Sequence, residues 1–515
     1  MRNTTAPRWA TRILGLAFAF VFVLVLGAGT RVAAEDVALD DVPEAWRNGV
    51  RRALSGSNGS ALRASYEKLA EDERHGWAFL LATMRSHYVS KLTEPLLTEH
   101  VQYAYRVRRE LAWTKDLPEE VFLHYVLPIL SGDEPLQQWR KQFFEEVGAV
   151  LKKKRVKTLE KAALEVNKWC GSRVSFKPTP AQDSGPLDTL KRGYGRCEEE
   201  GIFYIAVARS VGVPARMAST PYWTFKASNH AWCEVYTGET SKRSPREWGF
   251  LGACEPSGKL NEAWFKGDVK RACVVLSRAI GTPTADEVLS TRGGYSVINS
   301  TRYYTRTCRM TLKVSDEDGQ PAARADLALY IFNEVGNEPY LRSAFEAQAG
   351  EDGTLSFDLG PGDYVIQARK SGTTGWAVAS SKPGKDATCE IVLGQPEARG
   401  PTTIEPTGTS GVRIRLGAGG KKTRVAICRF DALPWKAEQF VEVDSKGATV
   451  DLSPGTWLLQ TGRRKGDSEV HVVLHAVVVS EGEVGEIRLP GAKPPRKRSR
   501  DDGSPRLTVL HYPRK

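Results

Sequence analysis

The chain has no cysteine before Cys170 and no Cys-x-x-Cys pair. A lipid-modified cysteine near the N-terminus is therefore excluded, and a zinc site has no support. An Asp-x-Asp-x-Asp-Gly loop is also missing, so the sequence indicates no calcium site. We therefore expect neither a cofactor nor a metal ion.

Net positive charge is small in the body of the chain, although the whole sequence carries a formal charge of +12. Residues 1–34 hold +4 and residues 491–515 hold +6, which leaves +2 for everything between. Nucleic-acid binding needs a basic face on a folded domain, so nucleic acid is not an expected partner. Residues 491–515 are predicted to form a disordered basic tail, with contact to an anionic cell envelope as the alternative.

The apolar run near the N-terminus, Ile13–Ala28, is shorter than the roughly 20 residues that a membrane-spanning helix needs. Arg2, Arg8 and Arg12 precede this run, and Val32-Ala33-Ala34 follows it, with small residues at both positions that direct cleavage. This layout predicts a Sec-type signal peptide over residues 1–34, with an uncleaved membrane anchor as the alternative. We therefore expect the mature chain to be periplasmic, on the cell surface or secreted, where disulfides are permitted.

The rest of the chain divides into regions of different periodicity. Helical apolar spacing predicts a helical region at 35–155, and mixed helix and strand signals predict an α+β core at 156–290. Alternating apolar residues predict an all-β module at 300–394. A segment rich in proline, glycine and threonine at 395–410 is predicted to be a linker before a second β-module at 411–490.

An internal repeat supports two copies of one β-module. Leu359-Gly-Pro-Gly-Asp-Tyr364 matches Leu452-Ser-Pro-Gly-Thr-Trp457. A repeat of about 90 residues suits a seven-stranded sandwich of immunoglobulin-like type. Such appendages commonly serve as spacers or docking modules, and these could contact the cell envelope.

One candidate nucleophile stands at a predicted helix start. Gly193 and Gly195 permit a tight loop, and Cys197 then begins a helix predicted to run to Val211. Unpaired N–H groups at a helix start favour a thiolate, although Glu198–Glu200 oppose this electrostatically. The alternative is that Cys197 is only a small buried residue.

Two further candidates follow on predicted strands. The run His230–Tyr236 alternates, so His230 could act as general base for Cys197. Glu255 follows the strand that begins at Trp248, and its carboxylate could orient the imidazole as a third triad member. The alternatives are a structural histidine and a solvent-exposed acid.

The order of the motifs resembles the core of the transglutaminase-like superfamily. The matching segments are Gly195-Arg-Cys197, Gly212-Val-Pro-Ala-Arg216, His230-Ala-Trp-Cys-Glu-Val235 and Glu255-Pro256. The resemblance implies a papain-like core in which Cys197 is the nucleophile, His230 the base and Glu255 stands at the usual aspartate position.

A broader likeness covers roughly residues 100–395. It is to exported bacterial members that have glutamate at the acid position and carry carboxypeptidase-regulatory-like or immunoglobulin-like sandwiches after the core. Trp113–Phe122, Tyr125–Pro128, Gly252–Pro256 and Leu260–Phe265 support it.

The resemblance implies a cysteine acyl-transfer enzyme acting on amide bonds of proteins or peptides, by hydrolysis or transamidation. An oxyanion donor is required, and the candidates are the Cys197 backbone N–H and, more weakly, the side chains of Gln182 and Trp223. The competing function is a non-catalytic binding or scaffold protein of the cell envelope. A free Cys197 thiol favours the enzyme, and a disulfide at Cys197 favours the scaffold.

Overall fold

The computed structural model describes residues 39, 42–180, 182–238, 247–284, 286–334, 338, 340–394, 402–403, 411–416, 422–465, 469–479, 484–489 and 506–512. The predicted signal peptide and all but two residues of the predicted linker lie outside this part of the chain. No helix within the described ranges is both long and apolar enough to cross a membrane.

The N-terminal region is helical, as predicted. Its helices are α1 (Glu44–Leu54), α2 (Gly59–Glu67), α3 (Glu71–Thr83), α4 (Ser86–Val89), α5 (Glu94–Glu110), α6 (Glu119–Tyr125) and α7 (Arg140–Lys153). Buried Arg140 on α7 donates hydrogen bonds to the backbone oxygens of Val126, Leu127 and Pro128. A buried guanidinium is stable only when such acceptors surround it, so this contact ties α7 to the segment after α6.

The α+β core follows. Its elements are α8 (Leu159–Gly171), β1 (Ser175–Phe176), α9 (Pro186–Arg192), β2 (Tyr194–Gly195), α10 (Cys197–Ser210), β3 (Ala215–Thr220), β4 (His230–Tyr236), β5 (Trp248–Leu251), α11 (Lys266–Val269), β6 (Leu276–Ile280), β7 (Val288–Arg292) and β8 (Tyr295–Asn299). An antiparallel sheet has the order β5-β4-β3-β6-β8-β7. The sheet therefore continues past the predicted boundary at residue 290, because β8 pairs with β6.

Helix α10 is held in the centre of this core. It is almost wholly buried and packs against α7, α8, β3 and β4. Arg209 near its end donates to the backbone oxygens of Tyr125, Leu130 and Ala215. The helix that begins at Cys197 is thus anchored to the helical region at its far end.

The first sandwich has the strands β9 (Cys308–Ser315), β10 (Asp326–Asn333), β11 (Tyr340–Gln348), β12 (Thr354–Leu359), β13 (Gly362–Lys370), β14 (Thr373–Ser381) and β15 (Ala387–Val392). The second has β16 (Thr402–Thr403), β17 (Gly411–Leu416), β18 (Thr423–Arg429), β19 (Ala437–Val443), β20 (Ala448–Val450), β21 (Gly455–Lys465), β22 (Glu469–Val479), β23 (Val484–Leu489) and β24 (Arg506–Tyr512).

The two modules share one topology, which supports the predicted repeat. The first has sheets β11-β10-β13-β14 and β12-β9-β15, and the second contains β19-β18-β21-β22 and β20-β17-β23. In each, an aromatic side chain donates to the backbone oxygen four residues earlier: Tyr364 to Gly360 at 2.6 Å, and Trp457 to Ser453 at 2.8 Å. These residues are the aligned ends of the sequence repeat.

The prediction that residues 491–515 are disordered is wrong for Arg506–Tyr512. These residues form β24, which pairs in parallel with β22 over Glu469–His475. The segment Leu507-Thr-Val-Leu-His-Tyr512 contains alternating β-branched, apolar and aromatic residues, which are common in strands. The net charge of residues 491–515, considered alone, did not indicate this strand.

The sandwiches pack on each other and on the core. Tyr330 of the first module stacks on Trp435 of the second, with ring centroids 5.0 Å apart. Asn333, at the end of β10, donates to the backbone oxygens of Trp223 at 2.7 Å and Lys226 at 3.0 Å. The first sandwich thereby holds the loop that connects β3 to β4 in the core.

Candidate active site

Cys197 lies at the first turn of α10, as the sequence predicted. Gly193 ends α9 in the left-handed region, at a φ of 78°, and allows the sharp turn into this helix. The Glu199 carboxylate accepts the backbone N–H of Arg196 at 3.1 Å and pairs with Arg192 at 2.9 Å. Glu199 therefore stabilises the helix start, while Glu198 and Glu200 face the cleft.

The expected thiolate is not favoured in this structure. Cys197 is a free, half-buried thiol whose Sγ donates to the Glu198 carboxylate at 3.2 Å. Burial, followed by the charge of Glu198, raises the pKa of Cys197 to about 12, although hydrogen bonding from the Ala231 N–H opposes this. Burial therefore raises the pKa of the thiol by more than the helix N-terminus lowers it.

His230 begins β4 inside an aromatic enclosure. Its ring centroid lies 4.6 Å from Phe265, 4.8 Å from Trp264 and 5.8 Å from Trp232. Burial, and then the charge of Lys226, lowers the pKa of His230 to about 4. Its buried Nε2 has no hydrogen-bond partner among the described residues. The imidazole is therefore neutral, and the lowered pKa makes it a weak base in this state.

Glu255 reaches the same cleft but does not hold His230. The indole N–H of Trp264 donates to its carboxylate at 2.9 Å. Burial raises the pKa of Glu255, and the bond from Trp264 partly opposes that rise. The role of Glu255 in orienting His230 stays a prediction.

One cleft of about 830 Å³ brings Cys197, His230 and Glu255 together. Its further lining residues are Phe176, Pro178, Thr179, Arg196, Glu198, Glu200, Ser228, Asn229, Ala231, Gly252, Ala253 and Trp264. The two weaker oxyanion candidates are not among them. Gln182 is exposed, and Trp223 is buried in the cluster with Trp232 and Phe265. The indole N–H of Trp223 has no partner within the described residues.

Sequence reasoning missed a buried polar network in the core sheet. Arg216 on β3 faces Glu234 on β4 and donates to it at 2.6 Å. Tyr304 donates to the other Glu234 oxygen at 2.6 Å and accepts the Trp232 indole N–H at 2.9 Å. The sequence did contain a signal for the pair, because Arg216 and Glu234 stand inside two neighbouring apolar strands. Charged residues are rarely buried without a partner, so these two could have been expected to pair. Tyr304 lies too far along the chain for that signal to identify.

A thiol at a helix start and an imidazole at a strand start, on the walls of one cleft, define a papain-like arrangement. Residues 149–250 match the family model described as the transglutaminase-like superfamily. This part of the chain thus resembles a transglutaminase-like core. No curated protein matches the chain.

Solved structures show weaker likenesses. A protein from Cytophaga hutchinsonii assigned as a cysteine protease is 21% identical over 30% of this chain, with a TM-score of 0.22, and the chain spans 50% of its length. Red sea bream transglutaminase is 12% identical over 72% of this chain and 80% of its own, with a TM-score of 0.25. The minor pilin GBS52 of Streptococcus agalactiae is 13% identical over 38% of this chain and all of its own, with a TM-score of 0.14. Scores this low carry no argument about activity.

Proposed function

We propose that this chain is an exported cysteine acyl-transfer enzyme that acts on amide bonds of proteins or peptides. Cys197 is the nucleophile, His230 the general base and Glu255 the third, acidic member. Export rests on the signal-peptide pattern of residues 1–34, and the substrate class rests on the transglutaminase-like core.

The observation that carries the proposal is the shared cleft. Cys197 and His230 come from different elements, and both line it, while His230 Nε2 lacks a partner in the described structure. A buried imidazole nitrogen without a partner is costly unless another group occupies that position during function. A thiol or a leaving amine would satisfy it.

The resting pair is neutral, so the first step transfers a proton. His230 takes the Cys197 proton as sulfur attacks the amide carbonyl, and the imidazolium then protonates the leaving amine. The backbone N–H of Cys197 is suited to stabilise the oxyanion, because it belongs to the open first turn of α10. Water or an amine then resolves the thioester.

The test uses residues 35–515 and three assays: ammonia release from peptide amides, incorporation of a dansylated amine into casein, and cleavage of peptide pools by mass spectrometry. Cys197→Ala should abolish whichever activity is found, and His230→Ala should lower it about 10²- to 10⁴-fold. Cys308→Ala, which removes a thiol from β9, is the matched control and should retain activity.

Alkylation by iodoacetamide supplies a second readout. Because the pKa of Cys197 is raised to about 12, its alkylation rate should still be rising at pH 9. A plateau near pH 6 would contradict the neutral resting pair and would instead indicate a thiolate paired with imidazolium.

The competing function is the non-catalytic cell-envelope binding or scaffold protein. The raised thiol pKa and the Trp264 bond to Glu255 favour it, because neither activates the nucleophile. Inactivity of the parent chain in all three assays, together with Cys197 alkylation that is indifferent to His230→Ala, would establish this alternative over the enzyme.

A further inference from the structure

Glu200 is a buried acid that the proposed triad does not use. Only 3% of its surface is exposed, it lines the cleft, and its Oε1 has no partner among the described residues. It lies three positions after Cys197 on α10, so the two side chains share one helix face at about 5–6 Å between Cβ atoms. An unpaired carboxyl thus stands one turn from the nucleophile.

Within the described part of the chain, no cationic side chain pairs with Glu200. Glu198 and Glu255 line the same cleft, and His230 is neutral. The guanidinium of Arg196, which also lines it, bonds to Asp183 and Glu198. The Cys254 thiol donates to the backbone oxygen of Glu200, and the buried thiol of Cys233 is also close.

Two exposed aromatic rings border this acidic cleft. Phe176 is 58% exposed and Trp264 is 64% exposed, and both line it. Large aromatic side chains exposed to this degree mark binding surfaces when they cluster. A ring face attracts the alkyl stem of a lysine or arginine as well as its charge.

We propose that the cleft selects acyl-donor peptides that carry a lysine or arginine beside the reactive amide, with the cation paired to Glu200 and the stem lying on Trp264 and Phe176. This specificity rests on the proposed acyl-transfer function. The short spacing between Cys197 and Glu200 favours a basic residue close to the scissile residue, since an extended peptide advances about 3.3 Å per residue.

The proposal has a pH signature. Burial, and then the charge of Glu255, raises the pKa of Glu200 to about 8, so the free protein holds this carboxyl protonated at neutral pH. A bound cation favours the carboxylate, so binding releases a proton, and affinity for basic peptides should increase as the pH rises from 6 to 8. Peptides with norleucine or citrulline at that position should lack this increase.

Binding is measured by calorimetry on the Cys197→Ala chain, with peptides that differ only in lysine, arginine, norleucine, citrulline or glutamate beside the amide. Basic peptides should bind about 10- to 100-fold more tightly than neutral ones at pH 8. Adding Glu200→Gln should remove that preference, and Glu200→Asp should keep part of it. Glu262→Gln, which removes an exposed carboxylate paired to Lys266, is the matched charge control and should change nothing.

The outcomes separate this inference from the proposed function. Glu200-dependent binding without turnover by the parent chain would support the cationic subsite and refute the acyl-transfer function. Equal binding of all five peptides, or a preference that survives Glu200→Gln, would overturn the subsite. Glu200-dependent saturation by a free alkylamine without any peptide preference would also overturn it, because the cation would then belong to the acceptor.

Discussion

Strand β4 places two polar side chains in opposite situations. At its start, the buried Nε2 of His230 has no partner in the described structure. Four residues later, Glu234 accepts hydrogen bonds from Arg216, Ser277 and Tyr304. Both positions are on the same strand face, but Glu234 is fully buried whereas His230 is only partly buried at the cleft.

The difference shows which polar groups maintain the fold and which remain available to a ligand. A satisfied buried network contributes to a specific structure, and removal of one member leaves an uncompensated charge. An unsatisfied polar group in a cleft makes no hydrogen bond that stabilises the fold. Replacing it with a neutral side chain should therefore not lower the free energy of unfolding. Variants in the Glu234 network and in the cleft should therefore separate stability from function.

The largest expected effect is in the satisfied network around Glu234. Arg216→Ala should lower the free energy of unfolding by about 3–5 kcal/mol, because Glu234 and Asp286 lose their buried cation. Urea unfolding of residues 35–515 measures this. The double variant Arg216→Met with Glu234→Leu should recover much of the loss, and a cost below about 1 kcal/mol for Arg216→Ala would contradict the comparison.

The next largest effect is a pH-dependent change in the free energy of unfolding caused by Glu200. Its folded-state pKa is raised to about 8, so the unfolded chain loses this proton first and the folded state loses stability as the pH rises between about 4.5 and 8. The stability of Glu200→Gln relative to the parent should therefore increase over this window, by at most about 1.4 kcal/mol per pH unit. Urea unfolding at pH 5, 6, 7 and 8 tests the sign, and a constant difference would contradict it.

A smaller loss is expected for Tyr304→Phe. The lost hydroxyl donates to Glu234 and accepts from Trp232, so two buried groups each lose one partner. The free energy of unfolding should fall by about 1–3 kcal/mol. Tyr303→Phe, at the neighbouring position, is the control and should have a smaller effect. Equal effects for the two variants would mean that Tyr304 is not part of the network.

The smallest stability effect is expected for Trp264→Phe, within about 0.5 kcal/mol, because the ring is 64% exposed. The variant keeps an aromatic ring but removes the donor to Glu255, so the pKa of Glu255 should rise further. The acidic limb of the pH–activity profile should then move to higher pH if Glu255 must be ionised. An unchanged limb would assign that titration to another group.

Local patterns were sufficient for much of the fold. The strand His230–Tyr236 has the predicted bounds, and the helix at Cys197 ends one residue before the predicted Val211. The matched loops ending at Tyr364 and Trp457 indicated two modules of one topology, because a turn and its alternating strands are short-range features. The strand Arg506–Tyr512 was not predicted, because the net positive charge of residues 491–515 indicated disorder and the alternating strand-forming residues within them were not considered.

The protonation states of the side chains could not be predicted from local sequence patterns. A helix start predicts a lowered thiol pKa for Cys197, yet burial and Glu198 reverse the sign. Likewise, Glu255 is in the expected cleft, but its partner is Trp264, nine residues further along an irregular segment. Dehydration and partner choice depend on what the rest of the chain packs around a group.

The sequence by itself determined the order of the elements and the repeat, because periodicity and motif spacing are local properties of the chain, and its resemblance to the transglutaminase-like core predicted a site at Cys197, His230 and Glu255. Only the tertiary structure decided that Glu200 is buried without a partner, that Arg216, Glu234 and Tyr304 complete one network, and that Asn333 of a sandwich holds the loop at Trp223. Solvation and hydrogen-bond partners are set by residues distant in sequence, and packing alone brings those residues together.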